Sequence, residues 1–119
     1  MTSVTIYHNP RCGTSRKALE LIRARGITPT IVEYLKTPPS VSELERLLKL
    51  LKLEPRALLR QKEPLYATLK LDDPSLSHAE LVRAMVEHPI LIQRPIIVSG
   101  SQAVLGRPPE AVESILNSG

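Results

Sequence analysis

The feature that most constrains the fold is a change of hydrophobic period along the chain, from strand to helix and back to strand. Short β-branched segments occur near both ends, namely SVTIYH at 3–8, TIVEY at 30–34, IIV at 96–98 and AVL at 103–105, and such segments favour strands. From Thr14 to Gly26 apolar residues recur at helical spacing, and a glycine is typical of a helix end. A strand that follows one crossover helix lies most simply parallel to the first strand. The chain is therefore expected to begin with a β-α-β unit.

The middle of the chain is predicted to be helical. Ser40-Val-Ser-Glu43 and Ser77-His-Ala-Glu80 are capping-box patterns, and each is followed by an apolar run. Between them, short helices are expected over Pro55–Arg60 and Pro64–Leu69, because proline is favoured in the first turn of a helix. Pro89 is expected to end this helical block.

The last part of the chain returns to strands. Ser99-Gly100 is a turn signal that makes 96–98 and 103–105 the two arms of a hairpin. Pro108-Pro109 then opens a last helix with the sequence EAVESIL. The predicted order is β-α-β, a helical insertion over about residues 40–88, and β-β-α. Because no linker or repeat occurs, we expect a single domain over residues 1–119.

This order resembles that of the thioredoxin fold, an α/β fold with a four-stranded mixed sheet. A parallel β-α-β half joined to an antiparallel β-β-α half, with one cysteine after the first strand, carries the resemblance. That fold has a cis proline just before its third strand, and Pro95 is the candidate for this position. The sequence leaves the isomer of the Arg94–Pro95 bond open, since only about 5–6% of X–Pro bonds are cis.

Composition excludes several classes of protein. Cys12 is the only cysteine, so the chain has no internal disulfide and no zinc site made of several thiolates. The N-terminus lacks a signal-peptide pattern and no apolar stretch approaches about 18 residues, so we expect a soluble, cytoplasmic protein without membrane contact. The net charge of +4 favours anionic ligands. Nucleic acid is not expected as a partner, because no basic run occurs and Phe and Trp are absent.

Cys12 is the candidate nucleophile. It lies between the first strand and the first helix, where the amide groups and dipole of a helix start favour a thiolate. His8, Arg11 and Arg16 are close in sequence, which predicts positive charge near the sulfur. The alternative is a buried, inert cysteine.

The residues that follow Cys12 define the kind of thiol chemistry. Ser15 occupies the position of the resolving cysteine in a C-x-x-C motif, but its hydroxyl cannot form a disulfide, so a resolving thiol must come from another molecule. Thr14 and Ser15 also suit helix capping. That role is compatible with contacts to the thiolate or, together with Gly13, to a bound oxyanion.

Three arginines are candidates for binding such an oxyanion, namely Arg60, Arg94 and Arg107. Each lies at the expected end of a helix or strand, where α/β proteins gather their sites. Guanidinium groups bind tetrahedral oxyanions through paired N–H donors and keep their charge. The alternative is that they are solvated surface residues.

Other catalytic motifs are absent. Cys-x5-Arg phosphatases are excluded because the sixth residue after Cys12 is Ala18, and neither glycine-rich nucleotide motif occurs. His8, His78 and His88 do not form the H-E-x-x-H motif, so no metal is predicted.

Four segments in order resemble the glutaredoxin-coupled arsenate reductase family over essentially the whole chain. They are YHNPRCGTSR at 7–16, LRQKE at 59–63, RPI at 94–96 and GRPPE at 106–110. The resemblance implies that Cys12 attacks arsenate, that Arg60, Arg94 and Arg107 bind it, and that His8 assists ionisation of the cysteine. It also implies that glutathione is a co-substrate, glutaredoxin is a partner and no bound cofactor is needed.

Two other functions are compatible with the same fold. One is a non-catalytic redox regulator similar to the Spx-type proteins that bind RNA polymerase, although typical members carry a C-x-x-C switch that Ser15 interrupts. The other is a glutathione-dependent oxidoreductase that acts on protein mixed disulfides, which the C-x-x-S arrangement suggests.

Overall fold

The computed structural model describes residues 3–116. Within this range the chain divides into two compact units. Residues up to Thr37 and from Arg94 onward form the first, here called the sheet unit, and Pro38–Gln93 form the second, the helical unit. The predicted insertion over about 40–88 lies inside the helical unit. That the whole chain forms one domain stays a prediction.

The sheet unit contains a mixed four-stranded sheet in the order β2-β1-β3-β4. Its strands are β1 Val4–Tyr7, β2 Thr30–Val32, β3 Ile96–Ser99 and β4 Gln102–Leu105. Strand β2 is parallel to β1, whereas β3 is antiparallel to both β1 and β4. The predicted α/β class and the thioredoxin-like mixed sheet are confirmed.

Two glycines shape the connections of this unit. Helix α1, Gly13–Ala24, joins β1 to β2, and Gly26 follows its end with a φ of 75°. Gly100 has a φ of 61° in the two-residue loop between the paired residues Ser99 and Gln102. Tight hairpin loops and helix C-termini both need a left-handed residue, which glycine supplies without steric cost.

The strand β2 and the last helix are shorter than predicted. β2 ends at Val32 instead of Tyr34, because the chain turns at Glu33, whose carbonyl accepts N–H bonds from Lys36 and Thr37. The last helix is divided into a 3₁₀ helix, Pro109–Val112, and α6, Glu113–Leu116.

The core of the sheet unit is aliphatic, as the lack of Phe and Trp predicts. α1 and the C-terminal helices cover one face of the sheet, and the buried side chains there are Val4, Ile6, Ala18, Leu19, Ile22, Ile97, Val112 and Ile115. The apolar residues of α1 recur with the predicted helical spacing, which turns that face of the helix to the sheet. This packing fixes α1, and with it the residues at its N-terminus.

The helical unit contains four helices. They are α2 Val41–Leu51, α3 Pro55–Leu58, α4 Pro64–Thr68 and α5 His78–Glu87. Ser40 and Ser77 accept the N–H groups of Glu43 and Glu80, as the capping patterns predict. None of the helices within residues 3–116 is long and apolar enough to cross a bilayer.

The helical unit differs from the prediction around residues 58–60 and 89–93. α3 ends at Leu58, because the chain then pairs with a distant segment: Arg60 N–H donates to Leu91 O and Gln93 N–H donates to Leu58 O, both at 2.8 Å. Pro89 starts a 3₁₀ turn, Pro89–Leu91, instead of simply ending α5. Both features depend on long-range pairing, which no local pattern reveals.

Candidate active site

Cys12 lies at the N-terminus of α1, in the loop that follows β1. It is the N-cap residue, with an extended backbone (φ −95°, ψ 121°), and its N–H donates to Asn9 O at 3.0 Å. Its side chain is partly exposed. A nucleophile in this position is both held by backbone hydrogen bonds and accessible to a ligand.

The pKa of the Cys12 thiol is lowered from its ordinary value of 9.0. Burial acts in the opposite direction and is the largest single influence. It is outweighed by hydrogen bonding of the thiolate to the N–H groups of Ser15 and Thr14 and by the charge and hydrogen bonding of Arg94. The helix start therefore favours the thiolate, as expected from the sequence.

Arg94 is the cation that stabilises this thiolate. Two of its guanidinium nitrogens, Nε and Nη1, are inaccessible to solvent and have no hydrogen-bond partner within residues 3–116. Buried donors without partners are costly, and a charged group pays more than a neutral one. The side chain as a whole is partly exposed, and it carries a fixed charge and planar N–H donors beside the Cys12 thiolate, which makes the surroundings of Arg94 suited to an oxyanion.

The sheet brings Arg107 to the same end as Arg94. Register pairs Tyr7 with Ile96 and Ile96 with Leu105, so the end of β1, the start of β3 and the end of β4 lie side by side. The exposed Arg107 side chain donates through Nη1 to Arg94 O at 3.3 Å. The segments that carry Cys12, Arg94 and Arg107 therefore converge at one edge.

Both arginines precede a cis proline. The Arg94–Pro95 bond is cis, which the sequence left open, and the Arg107–Pro108 bond is cis as well. The second of these bonds was not anticipated from the sequence.

His8 does not supply positive charge to Cys12, contrary to the expectation. Its ring is buried and its Nδ1 lies 2.6 Å from Ser15 Oγ, with which it shares a hydrogen bond. The pKa of His8 is lowered from 6.5, mainly by burial, and Arg23 and Arg16 add to this effect against the opposing charge of Glu33. His8 is therefore predominantly neutral at pH 7.

Ser15 is fully buried and connects the loop to the helix. Its Oγ accepts the N–H of Asn9 at 3.1 Å in addition to the bond with His8. The side chain thus holds the end of β1 against the first turn of α1, while the backbone N–H of Ser15 stabilises the Cys12 thiolate.

Arg16 lies over the loop that follows β1. Its Nη1 donates to Pro10 O at 2.9 Å. The cation that lowers the pKa of Cys12 is Arg94, which is distant in sequence, and contributions from Arg11 and Arg16 stay predictions. The oxyanion-binding roles of Gly13 and Thr14, at the start of α1, stay predictions.

Arg60 belongs to the helical unit and already has a carboxylate partner. Its Nη1 donates to Glu63 Oε2 at 2.7 Å, and the side chains are only 22% and 19% exposed. This pair was not predicted from the sequence, although charges at i and i+3 are a recognisable signal. The part of Arg60 in an oxyanion site stays a prediction.

The described part of the chain offers no candidate metal centre. Within residues 3–116, no group of three or more His, Cys, Asp or Glu side chains is placed to hold a metal ion.

The sequence of this chain is similar to those of known proteins over nearly its whole length. Residues 7–115, which include every candidate site residue, match the ArsC family. Over 114 residues the chain is 54% identical to a Rhizobium meliloti (strain 1021) protein named arsenate reductase, covering 96% of this chain and 81% of that protein. Over 114 residues it is 49% identical to the uncharacterized protein YfgD of Escherichia coli (strain K12), covering 95% of this chain and 96% of that protein.

The fold is also similar to that of a solved structure. The chain matches an arsenate reductase from Vibrio cholerae with a TM-score of 0.94 and 53% identity, over 96% of this chain and 98% of that chain. The family match and the relatives at 49% and 54% identity span nearly the whole sequence. The chain therefore belongs to the ArsC family.

Proposed function

We propose that this protein reduces arsenate to arsenite, with Cys12 as the nucleophile. The single observation that carries the proposal is the position of Arg94, whose guanidinium stabilises the Cys12 thiolate and whose carbonyl accepts an N–H of Arg107. Arsenate is a tetrahedral oxyanion, and its oxygens are suitable acceptors for these donors. The names of the ArsC relatives support arsenate as the substrate.

The first step forms a bond between sulfur and arsenic. The Cys12 thiolate attacks As(V), and water or hydroxide leaves with its electron pair, so that a Cys12–S–As(V) adduct results. Arg94 and Arg107 balance the negative charge of the oxyanion in the adduct. Because an arginine keeps its charge at all relevant pH values, this stabilisation does not depend on proton transfer.

The electrons come from thiols outside the chain. Glutathione displaces a second oxygen from arsenic, and a glutaredoxin thiolate then attacks the glutathione sulfur. A disulfide forms between the two thiols, and the electron pair of the broken As–S bond stays on arsenic, which becomes As(III). Hydrolysis releases arsenite and regenerates Cys12.

External thiols are required because Cys12 has no second cysteine in the chain. The thiols supply both electrons, so the proposed reaction needs no bound cofactor. We place it in the cytoplasm, where glutathione keeps thiols reduced.

The remaining candidates have supporting roles in this proposal. The amides of Gly13 and Thr14 face the anion at the helix start. His8 and Ser15 act on Cys12 through the position of that helix start, since they bond to each other.

Arsenite release in the presence of arsenate, glutathione and glutaredoxin tests the proposal. The wild-type protein is expected to turn over, and Cys12→Ser is expected to lose all turnover. A Ser3→Ala variant, altered at an exposed residue before β1, is a control and should keep the wild-type rate. No arsenate-dependent turnover by the wild-type protein would reject the proposal.

The second candidate function is glutathione-dependent reduction of protein mixed disulfides. The observation that favours it is the partly exposed, free Cys12 in a C-x-x-S segment, which leaves a single reactive thiol. This reaction does not need an oxyanion site. It would therefore continue in a variant with Arg60, Arg94 and Arg107 all replaced by methionine, whereas arsenate reduction would stop.

A further inference from the structure

Gly106 occupies the point where the segments that carry the candidate groups meet. It is buried, and its N–H donates to Pro95 O at 2.9 Å. A Cβ at this position would lie 2.7 Å from Pro95 Cγ, 3.1 Å from Ile97 Cδ1 and 3.4 Å from Ala18 Cβ. Pro95 follows Arg94, Ala18 belongs to the helix that begins after Cys12, and Gly106 itself precedes Arg107.

The need for glycine here is a matter of space and not of backbone conformation. Gly26 and Gly100 have positive φ angles, of 75° and 61°, but Gly106 does not. An added Cβ at Gly13 would meet nothing closer than 3.8 Å. Gly106 is thus set apart from Gly13 and Gly26 by the close approach of a neighbouring ring.

We propose that Gly106 is a positioning residue of the oxyanion site, because direct packing of its backbone against Pro95 sets the spacing of Arg94 and Arg107. The inference rests on the proposed function for the identity of the substrate. The second link between the same two segments, the bond from Arg107 Nη1 to Arg94 O at 3.3 Å, depends on that packing.

A methyl group at 106 would force Pro95 and the 106–107 segment apart by several tenths of an ångström or more, since a Cβ essentially never approaches a carbon to 2.7 Å. Arg94 would then shift relative to both Cys12 and Arg107. A displacement of about 1 Å at a reacting centre can cost about 100-fold in rate, and smaller displacements cost less. We therefore expect Gly106→Ala to fold and to bind a tetrahedral oxyanion at least about tenfold more weakly.

Alkylation of Cys12 by iodoacetamide measures the affinity for an oxyanion without arsenate turnover. Sodium sulfate serves as an unreactive oxyanion at constant ionic strength, and its protection of Cys12 gives an apparent affinity. For Gly106→Ala we expect weaker protection and an alkylation midpoint at higher pH than in the wild type. Both readouts remain available if the protein does not reduce arsenate, so failure of the proposed function and failure of this inference are distinguishable.

Val112→Ala is the matched control. Val112 is a fully buried residue of the same core, and its truncation lowers stability without touching either arginine. It is expected to leave the sulfate protection and the pH midpoint unchanged. If Gly106→Ala keeps the wild-type protection and midpoint, or if Val112→Ala changes both to the same extent, the inference is overturned.

A second variant keeps the test valid if Gly106→Ala is too unstable to purify. In Gly106→Ala/Ile97→Val the Ile97 Cδ1 is removed, which relieves the 3.1 Å contact but keeps the closer one with Pro95. The double variant is expected to show the same weakened protection. Wild-type protection in the double variant would contradict the assignment.

Discussion

The sequence makes Arg60 and Arg94 equivalent candidates for binding an oxyanion, yet their surroundings in the structure differ. Arg60, in the helical unit, donates to the Glu63 carboxylate at 2.7 Å. Arg94, in the sheet unit, buries two nitrogens that have no hydrogen-bond partner within residues 3–116 and uses its charge to favour the Cys12 thiolate. Arg60 contributes to the fold through its carboxylate partner, whereas Arg94 has two costly unpartnered donors and directs its charge to the Cys12 thiolate.

The largest expected effect of this difference is on activity. Arg94→Met keeps most of the side-chain volume but removes the charge and the unpartnered donors. Loss of a preorganised donor to a developing oxyanion costs about 10²–10³ in rate, so we expect a decrease of this size in kcat/KM for arsenate. Steady-state kinetics with glutathione and glutaredoxin measure it.

The control for this comparison is Arg46→Met, because Arg46 is an exposed residue of α2 and has no proposed role. It should retain wild-type kcat/KM. An Arg94→Met enzyme as active as Arg46→Met would show that the Arg94 guanidinium is not used in the reaction.

The next largest effect is on stability, where replacing Arg60 is expected to cost more than replacing Arg94. Arg60→Met leaves the mostly buried Glu63 carboxylate without its partner, and we expect a loss of about 1–3 kcal/mol in the free energy of unfolding. Arg94→Met leaves no carboxylate unpaired and removes two unsatisfied donors, so we expect a smaller loss or a gain. Denaturant unfolding of both variants and of Arg46→Met measures the difference. A larger loss for Arg94→Met than for Arg60→Met would contradict this account.

A smaller effect is expected in the pH dependence of Cys12. The pKa of this thiol lies below 9.0 in the wild type, and Arg94 is one of the groups that lower it. In Arg94→Met the alkylation midpoint should therefore move to higher pH, and the thiolate fraction at neutral pH should fall. The rate of reaction with iodoacetamide against pH reports this directly. An unchanged midpoint would show that Arg94 does not affect the ionisation of Cys12.

The smallest effect concerns His8. Its folded pKa is lower than 6.5, so below pH 6.5 the unfolded chain binds a proton that the folded chain takes up only at lower pH. The contribution of neutral His8 to stability is therefore complete above pH 6.5 and is lost as the pH falls through the folded pKa. We expect His8→Gln to flatten the decrease in melting temperature between about pH 7.5 and 5. A slope equal to that of the wild type would contradict the burial of a neutral imidazole.

Much of the fold was predictable, because its signals are local. The Ser40 and Ser77 caps, the glycine after α1 and the β-branched segments each act within a few residues, and the handed connection of a β-α-β unit then specifies parallel pairing. The end of α3 was not predictable in the same way. It depends on hydrogen bonds from residues 58–60 to residues 91–93, which are far away in sequence.

In the candidate site, too, the local features were predictable from the sequence and the long-range ones were not. Cys12 at a helix start, with a depressed pKa, follows from the order of strand and helix. The identity of the cation beside it does not, because Arg94 reaches Cys12 only through the pairing of β1 with β3. The expectation that His8 supplies positive charge was wrong, because burial favours its neutral form.

Protection of Cys12 by arsenate tests the central claim most directly. The rate of Cys12 alkylation is measured at increasing arsenate concentration, at constant pH and ionic strength, in the wild type and in Arg94→Met. The account predicts saturable protection of the wild type and little or none of the variant. Wild-type protein that arsenate does not protect, or an Arg94→Met variant that it protects equally well, would contradict it.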